Sequence, residues 1–257
     1  MTELRNEARG ASVIVNVLDV LRCFTVANPI VGVSEIAEQV NLHKSSVSRI
    51  LATLEQERVV ERDEQTRKYR LGLGLIAIAG PLLANLDVRR VAYPVLEDLR
   101  GATGETAVLN IWDGNESVSI EQLPSTRLVK HTSVMGSRYR SALSASVQIF
   151  LAYEDTAHCT DLLSQNAIDL AGVPIKDYLK RLELVRERGY AVNYGETSAD
   201  EVGVAAGIFD HRGQLVACAM TAAPYYRVDP DELETLSRQT SLAAGEISTR
   251  LGYQPEG

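Results

Sequence analysis

The sequence predicts an α+β chain in two parts: a winged helix-turn-helix at the amino terminus, then a larger domain of one sheet with flanking helices. Three observations predict it. The 257 residues exceed the usual ~100–200 of a single domain. Two short helical patterns separated by a turn are followed at once by a basic hairpin pattern. Farther on, two strand–turn–strand signals are joined by helical patterns and closed by one long helix, which is the order of an α+β domain rather than of a doubly wound sheet.

Composition limits the function classes. The chain is 45% hydrophobic and 23% charged, so it has the apolar content for a packed core and is not a disordered chain. No apolar run approaches the ~20 residues of a bilayer span, and no membrane role is expected. The opening MTELRNEARG is charged and lacks the apolar stretch of a secretory signal. Cys23, Cys159 and Cys218 are odd in number and far apart, which argues against a disulfide framework; the expected compartment is the cytoplasm.

The elements follow in order. Val13, Val17, Val20, Leu21 and Phe24 recur at helical spacing and predict a first helix over 11–24, broken by Asn28-Pro29. Ser34 reads as the N-cap of a short second helix, with Glu35 in its first turn and Ile36, Ala37 and Val40 on one face. Asn41-Leu42-His43 makes the turn, Asn being one of the few residues that enter the left-handed region cheaply. In the third helix, from Lys44, a stripe of Val47, Ile50, Leu51 and Leu54 turns inward. Lys44, Ser45, Ser46, Ser48, Arg49 and Thr53 then form a face of short hydroxyls and cations that suits base edges in a major groove. An ordinary amphipathic surface helix shows the same pattern. Val59–Arg62 and Lys68–Leu71 predict a hairpin around Asp63–Arg67. As a wing it would bring Arg67, Lys68 and Arg70 to phosphates, though Asp63 and Glu64 equally fit a solvated turn. The DNA-facing candidates are Ser34, Lys44, Ser45, Ser46, Ser48, Arg49, Thr53, Arg67, Lys68 and Arg70.

Charge is unevenly placed. Residues 1–72 hold ten basic and ten acidic side chains, so the whole formal charge of −8 belongs to the remainder. An acidic body would turn the neutral part toward a polyanion.

From Ser34 to Gly72 the run SEIAEQVNLHKSSVSRILATLEQERVVERDEQTRKYRLG resembles the winged helix-turn-helix of the IclR family of bacterial transcriptional regulators. The resemblance continues through VLEDLRGATGETAVLNIWDG, LELVRERGYAVNYGET, AAGIFDHRGQLVACAM and AAGEISTRLGY, and ordered, separated matches are more specific than any one pattern. It implies a DNA-binding domain over 1–72, a linker helix over 73–86, and a GAF-like α/β effector-binding and oligomerisation domain over 87–257. It also implies an activator or repressor that binds a double-stranded operator as a homodimer or homotetramer. Three places depart from the family pattern: Asn41 where Gly is usual in the turn, Ser146-Val147-Gln148 where Ser-Gly-Lys is usual, and Asp200-Glu201 in place of Gly-Val.

In the second domain, 87–100 reads as a helix carrying Val91, Val95 and Leu99, with Pro94 as a candidate kink and the apolar linker leading into it. Glu105–Trp112 and Glu116–Leu123 alternate as antiparallel strands around Asp113-Gly114-Asn115. Ser144–Tyr153 and Ile175–Arg188 read as helices, Val202–Phe209 and Gln214–Thr221 as a hairpin around Asp210–Gly213, and Asp231–Leu251 as the final helix.

A catalytic site has little to be built from. His43, His131, His158 and His211 stand apart in the chain, no His or Cys pair has metal-ligand spacing, and His158 and Cys159 diverge on a helix by about 100°. No nucleophile elbow or glycine-rich phosphate loop is present. Cys218 in an apolar strand fits a buried structural thiol better than a nucleophile. Neither a catalytic residue, a metal nor a cofactor is expected. A small-molecule enzyme and a winged-helix module used only for protein contacts remain the alternatives.

By position, the resemblance places effector-binding residues at Ala145 and Ser146 at a helix start, and at Asn193, Gly203, Cys218, Met220 and Ala222 on strands. A helix start offers free N–H groups to a carboxylate, so the expected effector is a small organic acid or aromatic metabolite. The strand residues fit plain core filling equally well.

Overall fold

The computed structural model describes residues 13–25, 27–85, 87–131 and 134–254, with the side chains of 80–87 outside that description. The chain forms two compact units that divide between Leu86 and Asp87.

In the first unit, α1 (13–22) is followed by α2 (Val33–Gln39), α3 (Lys44–Gln56), β1 (Val60–Arg62), β2 (Tyr69–Leu71) and α4 (Gly74–Asn85). The predicted start of α1 at Ala11 and the linker's end at Leu86 lie outside the described residues. One core joins Val20, Phe24, Val31, Ile36, Ala37, Val47, Leu51, Val60 and Tyr69, with Leu21, Val40, Ile50 and Leu54 half-buried around it. Val13 does not join it; it is exposed with Ile14, Val15 and Leu18. The carboxyl-terminal half of α1 therefore makes the core, and its start is left apolar and open.

The cap of α2 corrects the sequence reading. Gly32, not Ser34, is the N-cap, and Ser34 is the second helical residue, exposed at the surface. The Glu35 carboxylate accepts the Gly32 N–H at 2.8 Å, so a third-position acid closes the helix start where the cap has no side chain. Asn41 takes the left-handed turn at φ 52°. β1 and β2 pair antiparallel, Glu61 opposite Arg70 and Arg62 opposite Tyr69, and Val31 adds a bridge to Tyr69 through two 2.9 Å backbone bonds.

The second unit runs α5 (Asp87–Thr103), β3 (Thr106–Trp112), β4 (Ser117–Leu123), β5 (Arg138–Tyr139), α6 (Ala145–Ala152), α7 (Thr156–Ser164), α8 (Ile175–Arg188), β6 (Tyr190–Tyr194), β7 (Glu201–Phe209), β8 (Leu215–Pro224) and α9 (Pro230–Arg250). The sheet order is β5-β4-β3-β8-β7-β6, antiparallel at each pairing. Strand periodicity sorts side chains between two layers. Ala205, Cys218, Met220 and Ala222 meet α6, with α7 and α8 behind it. Val202, Val204 and Ala223 face the other way, toward Leu236 of α9, and α5 packs beside α9. Two hydrogen bonds pin α9 to the sheet: Thr221 to Thr240 between hydroxyls at 2.7 Å, and the Phe209 N–H to Ser248 Oγ at 3.0 Å.

Terminal chemistry explains the helix bounds. Asp155 accepts from the Ala157 and His158 N–H groups, and Asp229 from Glu232 at 2.8 Å with Pro230 in the first turn. Gly189 closes α8 at φ 79°, a conformation that costs glycine little. Pro94 sits within α5 without ending it. The inward residues of α5 are Val88, Ala92, Val95, Leu96 and Leu99, so Val91 stands one position off the core stripe.

One sheet edge is short and the other is partly occupied by side chains. β5 is only two residues long. At the other edge the β6 carbonyls of Tyr190 and Val192 accept from Arg188 Nε at 2.6 Å and Gln148 Nε2 at 3.1 Å.

Candidate DNA-binding surface and effector pocket

On α3 the core fixes the outer face. Val47 and Leu51 are fully buried, and this turns Lys44, Ser45, Arg49 and Thr53 toward the surface along with Ser46 and Ser48. Among the described residues Lys44 and Arg49 have no carboxylate partner, so both cations stand ready for an external acceptor. Thr53 Oγ1 donates to the Arg49 carbonyl at 3.1 Å, which leaves its lone pairs free but fixes its rotamer. The arrangement is a small polar surface one helix wide, backed by a rigid core, and it can lie in a groove.

The wing differs from the sequence expectation in its cations. Lys68 Nζ donates to Glu35 Oε1 at 2.8 Å, tying the wing to the start of α2. Arg70 holds Glu61, its cross-strand neighbour, through Nε and Nη2 at 3.1 and 3.0 Å. Lys68 and Arg70 thus each have an exposed carboxylate partner within the unit. Arg67 is exposed at the tip, with no carboxylate partner among the described residues.

The effector candidates are all buried in the second unit. Gly203 of β7 lies at the centre of four of them: a Cβ there would stand 3.8 Å from the Ala145 Cβ, 3.9 Å from Met220 Sδ and 4.0 Å from the Asn193 Cβ. Ala222 and Asn193 flank Gly203 in register on β8 and β6. The structure therefore brings Ala145, Asn193, Gly203, Met220 and Ala222 together under α6. Ser146 Oγ turns back to Ser144 Oγ at 3.2 Å, and Cys218 lies farther along β8, opposite Gly207 and Asn110.

The Asn193 amide is not free to read a ligand. Its Oδ1 accepts the Glu196 and Thr197 N–H groups at 2.9 and 3.2 Å, and its Nδ2 donates to Thr197 Oγ1. It holds the loop after β6 closed. Sequence reasoning missed Asn110, buried beside Cys218: its Oδ1 accepts from Ser119 Oγ at 2.9 Å, while its Nδ2 meets only Cys218 Sγ at 3.9 Å. A lone amide inside the apolar run AVLNIW was the available signal. Gln148 was missed as well. It sits within α6, fully buried, with Nε2 bonded to the Leu143 and Val192 carbonyls and Oε1 without a partner among the described residues.

A cavity of about 480 Å³ opens at the β7 start and β8 end, lined by Lys130, His131, Glu201, Tyr225 and Tyr226 among others, and by none of the seven candidates. His131 Nδ1 faces Glu201 Oε2 at 3.3 Å there, so Glu201, one of the family departures, has a local partner. Nearby, Glu105 is buried and clamped between Arg127 Nη1 at 2.5 Å and Arg227 Nε at 2.8 Å.

Burial raises all three thiols. Desolvation pushes Cys159 up to about 11, and pushes Cys23 and, much farther, Cys218 above the ordinary thiol range. We expect little alkylation of Cys218 by iodoacetamide in native protein at pH 8 and full alkylation in denaturant, read by mass spectrometry. Fast native labelling of Cys218 would contradict its burial. Among the described residues no three His, Cys, Asp or Glu side chains gather with metal-holding geometry, and no helix is long and apolar enough to cross a membrane.

Comparison with known proteins matches both units. The model of the bacterial transcriptional regulator IclR C-terminal domain covers residues 81–249, and that of the IclR helix-turn-helix domain covers 13–64. Similar relatives include the transcriptional regulator KipR of Bacillus subtilis, 29% identical over 88% of this chain and 91% of its own. The transcriptional repressor AllR of Escherichia coli is 29% identical over 99% of both chains. Among solved structures, the IclR of Thermotoga maritima superposes with a TM-score of 0.73 at 28% identity, over 95% of this chain and all of that one. An IclR homologue of Microbacterium hydrocarbonoxydans complexed with 4-hydroxybenzoate reaches 0.78 at 22%, covering 93% of this chain and 98% of that one, which speaks for the fold. With a helix-turn-helix unit and a sheet unit each matched in the same order, the chain belongs to the IclR family of DNA-binding bacterial transcriptional regulators.

Proposed function

We propose that this regulator is a cytoplasmic, non-enzymatic homo-oligomer that grips operator DNA through Lys44, Ser45, Ser48 and Arg49, and that a small organic acid or aromatic metabolite bound around Gly203 changes that grip. The observation that carries the first half is the outward face of α3, cationic and hydroxylic, with Val47 and Leu51 fully buried behind it. Pairing of copies is supported by the first unit's exposed apolar side chains: Val13, Ile14, Val15 and Leu18 on α1, and Leu73, Ile76 and Ile78 at α4. So much apolar surface in one small unit suits burial against a second copy, which would present two α3 faces to related half-sites.

The effector half draws on the convergence of candidates under α6 and on the 4-hydroxybenzoate held by the Microbacterium hydrocarbonoxydans homologue. A ligand acts on DNA affinity only by binding two oligomer geometries unequally.

One experiment tests both halves. Duplex from upstream of the protein's own gene is bound at increasing salt, then challenged with 4-hydroxybenzoate and a series of small organic acids. Binding that weakens steeply with salt and release by one acid are expected. Gly203→Ala should bind duplex as the parent does, since its new methyl has ordinary contacts. It should need about tenfold more acid for release, as one methyl is worth roughly 10–200-fold in a shaped pocket. Absence of any salt-dependent binding sinks the operator reading, and acid release unaltered by Gly203→Ala sinks the pocket.

A further inference from the structure

We infer that Arg67 is the wing's phosphate-contacting residue, and that Lys68 serves as a positioning residue acting through Glu35; the inference rests on the DNA-binding reading of the first unit. The sequence offers Arg67, Lys68 and Arg70 as equal cations, and the geometry separates them.

Arg67 sits at φ 59°, in the left-handed region that L side chains seldom adopt. Glycine or asparagine would be cheaper there, so the tip holds a cation at a position the backbone does not favour. The turn around it is well bonded. Asp63 Oδ1 accepts Thr66 N–H at 2.7 Å and Thr66 Oγ1 at 2.8 Å, the Arg67 N–H reaches the Asp63 carbonyl at 2.9 Å, and the Asp63 N–H reaches the Lys68 carbonyl at 2.8 Å. Below, Arg62 lies over the Tyr69 ring, 5.5 Å from its centroid, and donates from Nε to the Arg67 carbonyl at 3.4 Å. Asp63, Thr66 and Arg62 are thus spent on holding the shape of the tip, while the Arg67 guanidinium is exposed and unpaired among the described residues.

Lys68 has a different commitment. Its ammonium meets Glu35, whose second oxygen already closes the start of α2 through Gly32. The same carboxylate thus sets both the entry to the helix-turn-helix and the lean of the wing. The two backbone bonds between Val31 and Tyr69 join the same two elements beside it. Lys68 would have to give up Glu35 to reach a phosphate, whereas Arg67 gives up nothing.

The test uses the full-length protein and a mixed-sequence duplex, with affinity measured over a range of salt concentrations. Arg67→Ala should flatten the slope of log affinity against log salt by about 0.9, the change expected when one phosphate fewer is neutralised. Lys68→Ala should leave the slope unchanged and weaken binding at each salt by less than about fivefold, the worth of an exposed ion pair. Adding Glu35→Gln to Lys68→Ala should change affinity little further, because the partner that Glu35 holds is already gone. Thermal melts confirm that each variant is folded. A flattened slope for Lys68→Ala, or an unchanged one for Arg67→Ala, overturns the assignment. A parent protein with no salt dependence at all is a different result, one that removes the DNA-binding reading itself.

Discussion

Arg49→Ala is expected to cut discrimination between operator and unrelated DNA sharply while leaving the protein folded. Arg49 is exposed, has no carboxylate partner among the described residues, and lies one turn from Ser45 on a helix whose opposite face is sealed into the core. An arginine in that place can offer two parallel donors to a guanine edge, and removing such a pair costs about 1–3 kcal/mol, roughly 5- to 150-fold. Residual binding through phosphates should persist and stay salt-dependent. Competition mobility-shift assays with operator and non-operator duplexes measure the ratio directly. A variant that keeps both its affinity and its preference would place the recognition surface elsewhere.

The second large effect is expected from Gly72→Ala. A methyl there would stand 2.4 Å from the Arg58 carbonyl oxygen and 3.2 Å from two further backbone carbons, with no flexible side chain to yield. Gly74 is equally tight, 2.5 Å from the same oxygen. The two glycines crowd the Arg58 carbonyl, the Gly74 N–H donating to it at 2.9 Å and the Gly72 N–H to Val59 at 2.8 Å. Overpacking of this kind costs about 1–3 kcal/mol. For a unit of this size that is a fall of roughly 4–8 °C in Tm per kcal/mol. Gly101→Ala is the contrast: it lies within α5 with nothing inside 4 Å, so it should stabilise by about 0.5–1 kcal/mol. Calorimetric melts of the two variants should move in opposite directions, and equal behaviour would contradict the close approach at Arg58.

Local pattern made most of this molecule legible. α3 begins at Lys44 as its apolar spacing requires, Asn41 turns left-handed, and β3, β4, β7, β8 and α9 fall within a few residues of their periodicity. What escaped is what depends on distant chain. The Lys68–Glu35 pair spans 33 positions, so nothing near Lys68 announces that its charge is spent. β5 is two residues that become a strand only because Ser117 and Val118 lie alongside. The Gly32 cap had a usable signal in Glu35 three residues on, but Ser34 competed for the same role. For the effector candidates, family position named five residues that do gather around Gly203, yet it could not foretell that Asn193 would be occupied by Glu196 and Thr197, or that Asn110 would stand beside Cys218. Side-chain partners across a sheet follow from register, and register is a property of the assembled fold.

The stoppered rim at β6 has a bearing on the life of the protein in a crowded cell. A row of open carbonyls and amides on a terminal strand is a template on which another chain can crystallise as cross-β, and regulators held at high local concentration are exposed to that hazard. Here Arg188 and Gln148 occupy the Tyr190 and Val192 acceptors, and Arg188 also lies across the Tyr190 ring, 4.7 Å from its centroid. A foreign strand seeking to pair along β6 would first have to displace both side chains from those two carbonyls.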